Sequence, residues 1–216
     1  MAEKNQTISN QSITVEQKQK DLQNDLAKLN EARPAGAMAI LPQDANFETK
    51  DQEEQVILVM RKHSITNLPW IIMTALLVFV PVLIISLGIY PDGIETKYRL
   101  LLFLIWELGI FGYAIEKFLI WFFNVYIVTN ERIIDIDFHN LLLREISDAD
   151  LDKIQDVSIK GAGVFAAFFH YGDIHIQTAA EIQRFEFIAV PQPETVSRVI
   201  RELIEYNDLY RRNESL

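Results

Sequence analysis

The 216-residue chain is half apolar, carries a net charge of −10 and contains no cysteine, which excludes disulfides, thiolate zinc sites and thiol catalysis. From residue 130 onward sixteen Asp and Glu stand against nine Lys and Arg. Recognition of nucleic acid or anionic headgroups by bulk charge is therefore not expected. No signal peptide is expected either, because the first long apolar run lies far from residue 1.

Residues 1–50 form a polar tail and linker. Four apolar residues recur there at heptad-like spacing: Val15, Leu22, Leu26 and Leu29. They fill about two heptads, fewer than the three or four that indicate a coiled coil. We expect a largely disordered or weakly helical tail, with a partner-binding helix as the alternative. The linker that follows is marked by Pro34, Gly36 and Pro42.

Residues 51–67 form a juxtamembrane segment of mixed character. Acidic residues lead into the apolar run Val56–Met60, and three basic residues follow directly: Arg61, Lys62 and His63. A short strand and an interfacial helix both fit, because so short an apolar run has no diagnostic period.

Two long apolar segments predict a transmembrane helical hairpin over residues 68–122, with spans at about 68–90 and 99–122. Ile65–Pro91 contains no charged residue. As a helix it would reach ~40 Å, more than the ~30 Å of the hydrocarbon core. The second segment, Leu100–Phe123, carries three charged residues, Glu107 among them. Pro81 should kink the first helix and free one carbonyl for a neighbour to satisfy.

The distribution of basic residues predicts a multi-pass protein of the cell membrane with both termini in the cytoplasm. Basic residues flank the outer ends of the two spans: Lys50, Arg61, Lys62, Lys117 and Arg132. The connecting turn holds only Lys97 and Arg99. This excess places the Asp92–Lys97 turn outside the cell.

Aromatic side chains near the ends of the spans are candidate interface anchors. Trp70 and Trp121 would share the cytoplasmic interface, and Tyr90 and Tyr98 would share the other. Such pairs agree with two antiparallel spans.

Residues 123–210 change to short segments typical of antiparallel strands. Arg132–Phe138 alternates Ile and Asp, which indicates a strand with one dry and one wet face. Other strands are predicted at 124–129, 141–146, 153–160, 173–179 and 184–190. A helix from Glu194 to about Tyr210 follows, with an apolar face made by Val196, Val199, Ile200, Leu203 and Ile204.

The predicted fold class is α+β, with the helical hairpin followed by an antiparallel β-roll that the C-terminal amphipathic helix caps. Residues 211–216 are then a short tail.

Several short segments, in order, carry a family resemblance. They are EEQVILVMRKH before the hairpin, then VYIVTNERII, REI, LDKIQDVSI, FHYGDIHIQTA and FIAVPQPETVSRVI. Together they make roughly Gln52–Glu205 similar to the bacterial PH-like (bacterial pleckstrin homology) domain membrane proteins. The resemblance implies two packed, nearly orthogonal sheets closed at one end by the C-terminal helix. It implies no reaction, because that family has no defined catalytic residues.

Glu107 is a candidate intramembrane polar site, because a carboxylate inside a span is costly and is by default suspected of function. A structural role is the alternative, through protonation, a hydrogen bond to Ser86 or Tyr113, or snorkelling toward Arg99.

A dense aromatic connection, FAAFFHY, stands where a more basic one is expected from the resemblance. Its candidate membrane-contact residues are Phe165, Phe168, Phe169 and Tyr171. Core filling under the roll and a loop dipping into the bilayer both fit.

No catalytic, cofactor or metal site is predicted. His170 and His175 flank Asp173, but a closed metal site needs three or four convergent ligands. No glycine-rich phosphate loop and no nucleophile elbow occur in the sequence.

The function predicted from these features is non-enzymatic. The hairpin would anchor a PH-like domain on the cytoplasmic face, where it recruits a protein partner or a second copy of itself. A peripheral sensor of lipid or bilayer state is one alternative. A subunit of an oligomeric transport complex that uses Glu107 is another. The predicted partners are thus the bilayer and a protein, with no nucleic acid.

Overall fold

The structure is a computed structural model that describes residues 17–27, 37–41, 54–89, 95–161, 163–179 and 184–214. The strands are β1 (Met38–Ile40), β2 (Val56–Met60), β3 (Val125–Thr129), β4 (Arg132–Asn140), β5 (Leu143–Asp150), β6 (Ile154–Lys160), β7 (Tyr171–Thr178) and β8 (Arg184–Pro191). The helices are α1 (residues 17–27), α2 (Leu68–Ser86), α3 (Thr96–Phe123), α4 (Gly163–Phe169) and α5 (Pro193–Glu214). The α+β class with antiparallel sheets is confirmed.

The first sheet contains strands from both sides of the two apolar helices. Its strand order is β1-β2-β3-β4-β5, and β2 pairs antiparallel with β3 in the register Leu58 to Val128 and Met60 to Tyr126. Residues 61–124, which include α2 and α3, are therefore inserted between two strands that are neighbours in the sheet. The segment left open as a strand or an interfacial helix is a strand, because its apolar residues are buried in this sheet.

A second sheet, in the order β6-β7-β8, packs with the first around one hydrophobic core. Tyr126 of β3 joins the two sheets, since its ring stacks on Phe187 at 4.5 Å between centroids. Its hydroxyl accepts a hydrogen bond from the backbone N–H of Ile188 at 3.1 Å. The buried tyrosine thus has a partner for its polar end, as burial requires.

Helix α5 buries its apolar face in this core. Val196, Val199, Ile200 and Leu203 are buried, and Ile204 packs partly buried against them. The helix extends past Tyr210 to Glu214, into the predicted tail. The strand predicted at 141–146 is also longer at its end, because β5 continues to Asp150 before a 3-10 turn at Leu151–Lys153.

Two described segments of the N-terminal region, α1 and β1, pack on the rest of the structure. Strand β1, inside the predicted linker, pairs with β2 in the register Met38 to Met60. Leu26 of α1 joins the core, and buried Asp25 forms an ion pair with Arg198 of α5 at 3.2 Å. A tertiary surface offered by α5 and β2 stabilises segments whose own propensity is weak. The rest of the predicted tail, including Val15 and Leu29, lies outside the described residues.

A buried ion pair joins Glu54, just before β2, to Arg132, the first residue of β4. The Nε and Nη2 atoms of Arg132 donate to the two carboxylate oxygens of Glu54 at 3.0 and 2.9 Å. The Nη1 atom donates to Asp148 at 3.1 Å. Glu54 is 2% exposed, so the two parallel bonds offset its loss of hydration. Removing one member of such a pair costs about 3–5 kcal/mol.

The two apolar helices, α2 and α3, are together called the apolar hairpin. By length and composition, Ser64–Ser86 and Thr96–Phe123 are each able to cross a membrane. The first helix ends at Ser86, before the predicted end near Tyr90, and Gly88 follows with φ 69°. Glycine adopts this left-handed conformation without the Cβ penalty that other residues have.

Candidate functional site: the junction of hairpin and sheet

Arg61 holds the end of α3 against the end of β2. Its Nε atom donates to the carbonyl of Phe122 at 2.8 Å, and its guanidinium lies 4.5 Å from the centroid of the Phe122 ring. That carbonyl is one of the last four of the helix, which have no partner within it. Burial lowers the pKa of Arg61 from its usual value. One side chain thus joins the two ends of the hairpin.

The Trp121 side chain makes a second link in the same place. Its Nε1–H donates to the carbonyl of Lys62 at 2.8 Å. Trp70, the other predicted anchor of this interface, donates to Asn67 at 2.9 Å. Both tryptophans lie at the sheet end of the apolar hairpin.

Of the two anchors predicted for the far end, Tyr98 lies among the described residues and is exposed. Tyr98 is 53% exposed, and the ammonium of Lys97 lies 5.0 Å from its ring centroid. Tyr90 lies outside the described residues.

Asn124 caps the change from helix to strand. Its Nδ2 donates to Asp137 at 2.6 Å, and its Oδ1 accepts from the N–H of Phe138 at 2.6 Å. The ring of Phe138 lies 5.7 Å from that of Phe123. Asn124 itself is 4% exposed, and its two bonds tie α3 directly to β4.

His63 connects the start of the hairpin to the second sheet. Its backbone N–H donates to the carbonyl of Ala189 at 2.8 Å. Its ring stacks on that of Tyr171, with 5.6 Å between the ring centroids. Its Nδ1 accepts from the N–H of Ile65, which caps the 3-10 turn before α2. Burial lowers the pKa of His63, so the neutral form that can accept this bond is favoured.

Helix α4 carries the aromatic residues that were predicted to touch either the core or the bilayer. Phe165 is 76% and Phe168 is 75% exposed, so neither fills the core. Ala166 is the buried member of this short helix. Tyr171, which follows α4 directly, stacks on His63. The exposed phenylalanines are therefore connected to the junction through Tyr171 and His63.

The histidines near β7 do not converge on a metal. His175 contacts Glu186 at 3.1 Å, whereas Asp173 accepts the N–H of Ala189 at 2.8 Å. Within the ranges that the structure describes, no group of three His, Cys, Asp or Glu could hold a metal ion.

A cavity of about 150 Å³ between α4 and the start of α5 is lined mainly by small and apolar residues, including Ala166, Ala167 and Pro193.

Trp106 satisfies the carbonyl that Pro81 leaves free. A proline at position 81 has no N–H for the carbonyl of Leu77, four residues earlier in α2. The Trp106 Nε1–H of α3 donates to that carbonyl at 3.0 Å. The neighbouring helix thus supplies the donor that the proline inside α2 lacks.

Glu107 lies on the less exposed stripe of α3 with Phe103, Ile110 and Ala114, at the spacing of a helix face. Its Oε1 atom is buried and has no hydrogen-bond partner among the described residues. The expected bond to Ser86 does not form, since the Ser86 hydroxyl donates to the carbonyl of Leu83. One carboxylate oxygen of Glu107 is thus left unpaired by the described part of the hairpin.

Asp135 of β4 is a half-buried carboxyl beside the junction, paired in register with Tyr126. Burial raises its pKa to about 6, and the nearby charges of Asp137 and Glu145 add to this, whereas Lys62 opposes it. Its Oδ1 atom has no partner in the described part of the chain. A carboxyl in these surroundings takes up a proton more readily than in water.

The two packed antiparallel sheets, with the helix α5 against them, are the architecture of the PH-like class. The chain matches the family described as "Bacterial PH domain" over residues 64–204 and belongs to that family. The predicted resemblance is confirmed. Strands β1 and β2 lie before the matched range.

A solved structure with detectable similarity is the crystal structure of a DUF1696 family protein with a pleckstrin-homology domain from Shewanella loihica. It has 13% identity and a TM-score of 0.32, and the match covers 38% of this chain and 70% of that one. No curated protein matches the chain.

We predict that Trp106→Phe destabilises the hairpin by about 1 kcal/mol, because the Leu77 carbonyl loses its donor in an apolar setting. In a Pro81→Ala background the restored N–H can bond Leu77 within α2, so the same change should cost less. Trp121→Phe is the matched control, with a cost independent of residue 81. Unfolding in mixed detergent micelles measures all variants. Equal costs of Trp106→Phe in both backgrounds would contradict the assignment.

We predict a pH-dependent stability that Asp135→Asn abolishes. The folded pKa of Asp135, about 6, lies above its usual value of 3.8, so the folded state binds the proton more tightly. The contribution of Asp135 to stability should rise as pH falls through 6, with its full gain reached below about 4. The effect is on the order of 1 kcal/mol, because the carboxyl is partly exposed and solvent screens it.

Urea unfolding of the purified chain between pH 4 and 8 measures this dependence. Asp135→Asn should stabilise the protein at pH 8 and flatten that part of the profile. Asp156→Asn, at an exposed position of β6, is the control and should leave the profile unchanged. An unaltered profile in the Asp135 variant would count against the assignment.

Proposed function

We propose that the chain is a membrane-anchored PH-like module that recruits a protein partner, or a second copy of itself, on the cytoplasmic face of the cell membrane. The observation that carries the proposal is the single sheet built from strands on both sides of the apolar hairpin. The hairpin, expected over 68–122, serves as the anchor, and the domain is the recruiting part. No chemical step is assigned to it.

The strand pairing restricts the topology of such an anchor. Because Met60 and Tyr126 are paired neighbours, the two ends of the hairpin lie on the same side of any membrane that it enters. Two helices of sufficient length then cross and return. The excess of basic residues near these ends favours the cytoplasm as that side.

The junction supports a fixed orientation of the domain at the bilayer. Arg61, Trp121, Asn124 and His63 join the hairpin to both sheets without a flexible linker. A partner would meet a defined surface rather than a freely rotating domain.

Strand β5 is the most suitable recruiting surface. It is the last strand of its sheet, and most of its residues from Leu143 to Asp148 are exposed. The other end of the sheet carries only the three-residue strand β1. An open strand edge can pair with a strand of another chain, which is a common mode of peptide recognition.

A photo-cross-linking residue at position 146 of β5 tests the proposal in membranes. Ile146 is 47% exposed, and Ile188 of β8, 45% exposed, is the matched control. We expect one adduct of defined mass from position 146 and none from position 188. An adduct of twice the chain mass indicates self-assembly, and another defined mass indicates a partner. Recovery of monomer alone from both positions would refute recruitment through β5.

The orientation is measured separately with an impermeant thiol reagent on intact cells, since the chain has no cysteine of its own. Glu95→Cys, before α3, should react from outside, and Leu41→Cys should react only after lysis. The reverse pattern would overturn the cytoplasmic placement.

A second candidate function is contact with the bilayer through α4. The observation that favours it is the exposure of Phe165 and Phe168 beside the junction. Phe169 and Tyr171 would border the contact. An excess of acidic residues over the domain opposes attraction to anionic lipid, so burial of aromatic surface would have to supply the binding.

Because β2 and β3 are neighbours, the hairpin can be replaced by a short turn between Lys62 and Asn124, and the resulting soluble chain can be tested on vesicles. We expect flotation with neutral vesicles that Phe165→Ser with Phe168→Ser abolishes. Ile188→Ser, at an exposed residue of β8, is the control. A folded chain, checked by circular dichroism, that does not float at low salt would eliminate this candidate.

A further inference from the structure

We propose that the turn between β4 and β5, residues Leu141–Leu143, enters the same bilayer as the apolar hairpin and forms an additional apolar contact. This inference rests on the anchoring proposed above. It assigns a bilayer contact to a surface other than α4, and its occupant is the hydrocarbon region next to the headgroups.

The turn exposes three consecutive leucines. Leu142 is 98% exposed, Leu143 58% and Leu141 48%. Single exposed apolar residues are ordinary on protein surfaces, but a run of three at the tip of a strand pair is not. In water this tip would be a site of non-specific association.

The strand register places this tip on the side of the domain from which α3 enters. Val125, the first residue of β3 after the span, pairs with Ile136 of β4. Strand β4 then continues to Asn140, back past the end of α3. At ~3.3 Å per residue this overshoot is on the order of 13 Å.

Contacts along this overshoot hold β4 beside the end of the helix. Asn124 bonds to the N–H of Phe138, whose ring meets that of Phe123. Phe123 is itself 45% exposed. The leucine tip therefore lies on the same side of the domain as the exposed apolar surface of α3.

Backbone N–H groups at the tip are hydrogen-bonded within the turn, which suits a medium without water. The Oδ1 atom of Asn140 accepts from the N–H of Leu142 at 2.9 Å and from the N–H of Leu143 at 2.8 Å. Two donors at the apex are therefore satisfied within the turn, which lowers the cost of dehydrating them. His139 and Arg144 flank the leucines and can keep their polar ends at the headgroups.

The absence of cysteine permits a direct test in the full-length chain. Leu142→Cys, labelled with an environment-sensitive fluorophore, is reconstituted into neutral lipid vesicles that contain an acyl-chain quencher. Leu41→Cys is the matched control, because Leu41 is 54% exposed and follows β1 near Ile57, at the opposite end of the sheet. Ile105→Cys, at a 58% exposed position within α3, reports on the span itself.

We expect labels at positions 142 and 105 to lose most of their fluorescence to the acyl-chain quencher, while the label at position 41 is quenched only by an aqueous reagent. Loss at position 105 with none at position 142 would overturn the insertion of the tip and leave the anchoring intact. No loss at position 105 would overturn the anchoring itself. A label at 142 shielded from both quenchers would indicate a protein partner at the tip and also overturn the inference.

Discussion

The pairing of β2 with β3 is the constraint on which the rest of the structure depends. These strands are neighbours in space but are separated in sequence by the whole apolar hairpin. The sheet can close only if both ends of the hairpin return to one place. Hydrogen bonds between strands and burial of Leu58, Met60 and Val128 in the core stabilise that closure. The two apolar helices are consequently held as an antiparallel pair.

The junction converts this constraint into a fixed geometry. Two contacts there use a backbone carbonyl that the end of an element leaves unpaired: the Phe122 carbonyl meets Arg61, and the Lys62 carbonyl meets Trp121. Within the hairpin the same rule operates at Pro81, where Trp106 supplies the missing donor. Glu107 departs from the rule, since its Oε1 has no partner among the described residues. Anchoring alone does not explain that carboxyl.

Much of the architecture was predictable from local pattern. The alternation of Ile and Asp in RIIDIDF predicts β4, and the periodic apolar residues from Val196 to Ile204 predict α5. The candidate site was harder to predict from the sequence. The exposure of Phe165 and Phe168 could not be separated from core burial, because an apolar run has no marker for what covers it. The leucine tip was predicted only as the start of the strand at 141–146. The register of β5 with β4 decides where the tip lies.

The sequence by itself determined the apolar hairpin, the approximate positions of strands β3 to β8 along the chain and the amphipathic C-terminal helix, because each depends on composition and on a period of a few residues. Only the tertiary structure decided that residues 56–60 belong to the sheet, that α1 and β1 pack on it, and that Trp106 meets Leu77. These contacts join residues far apart in the chain. Their stability comes from burial and hydrogen bonds that exist only after the distant segments have met.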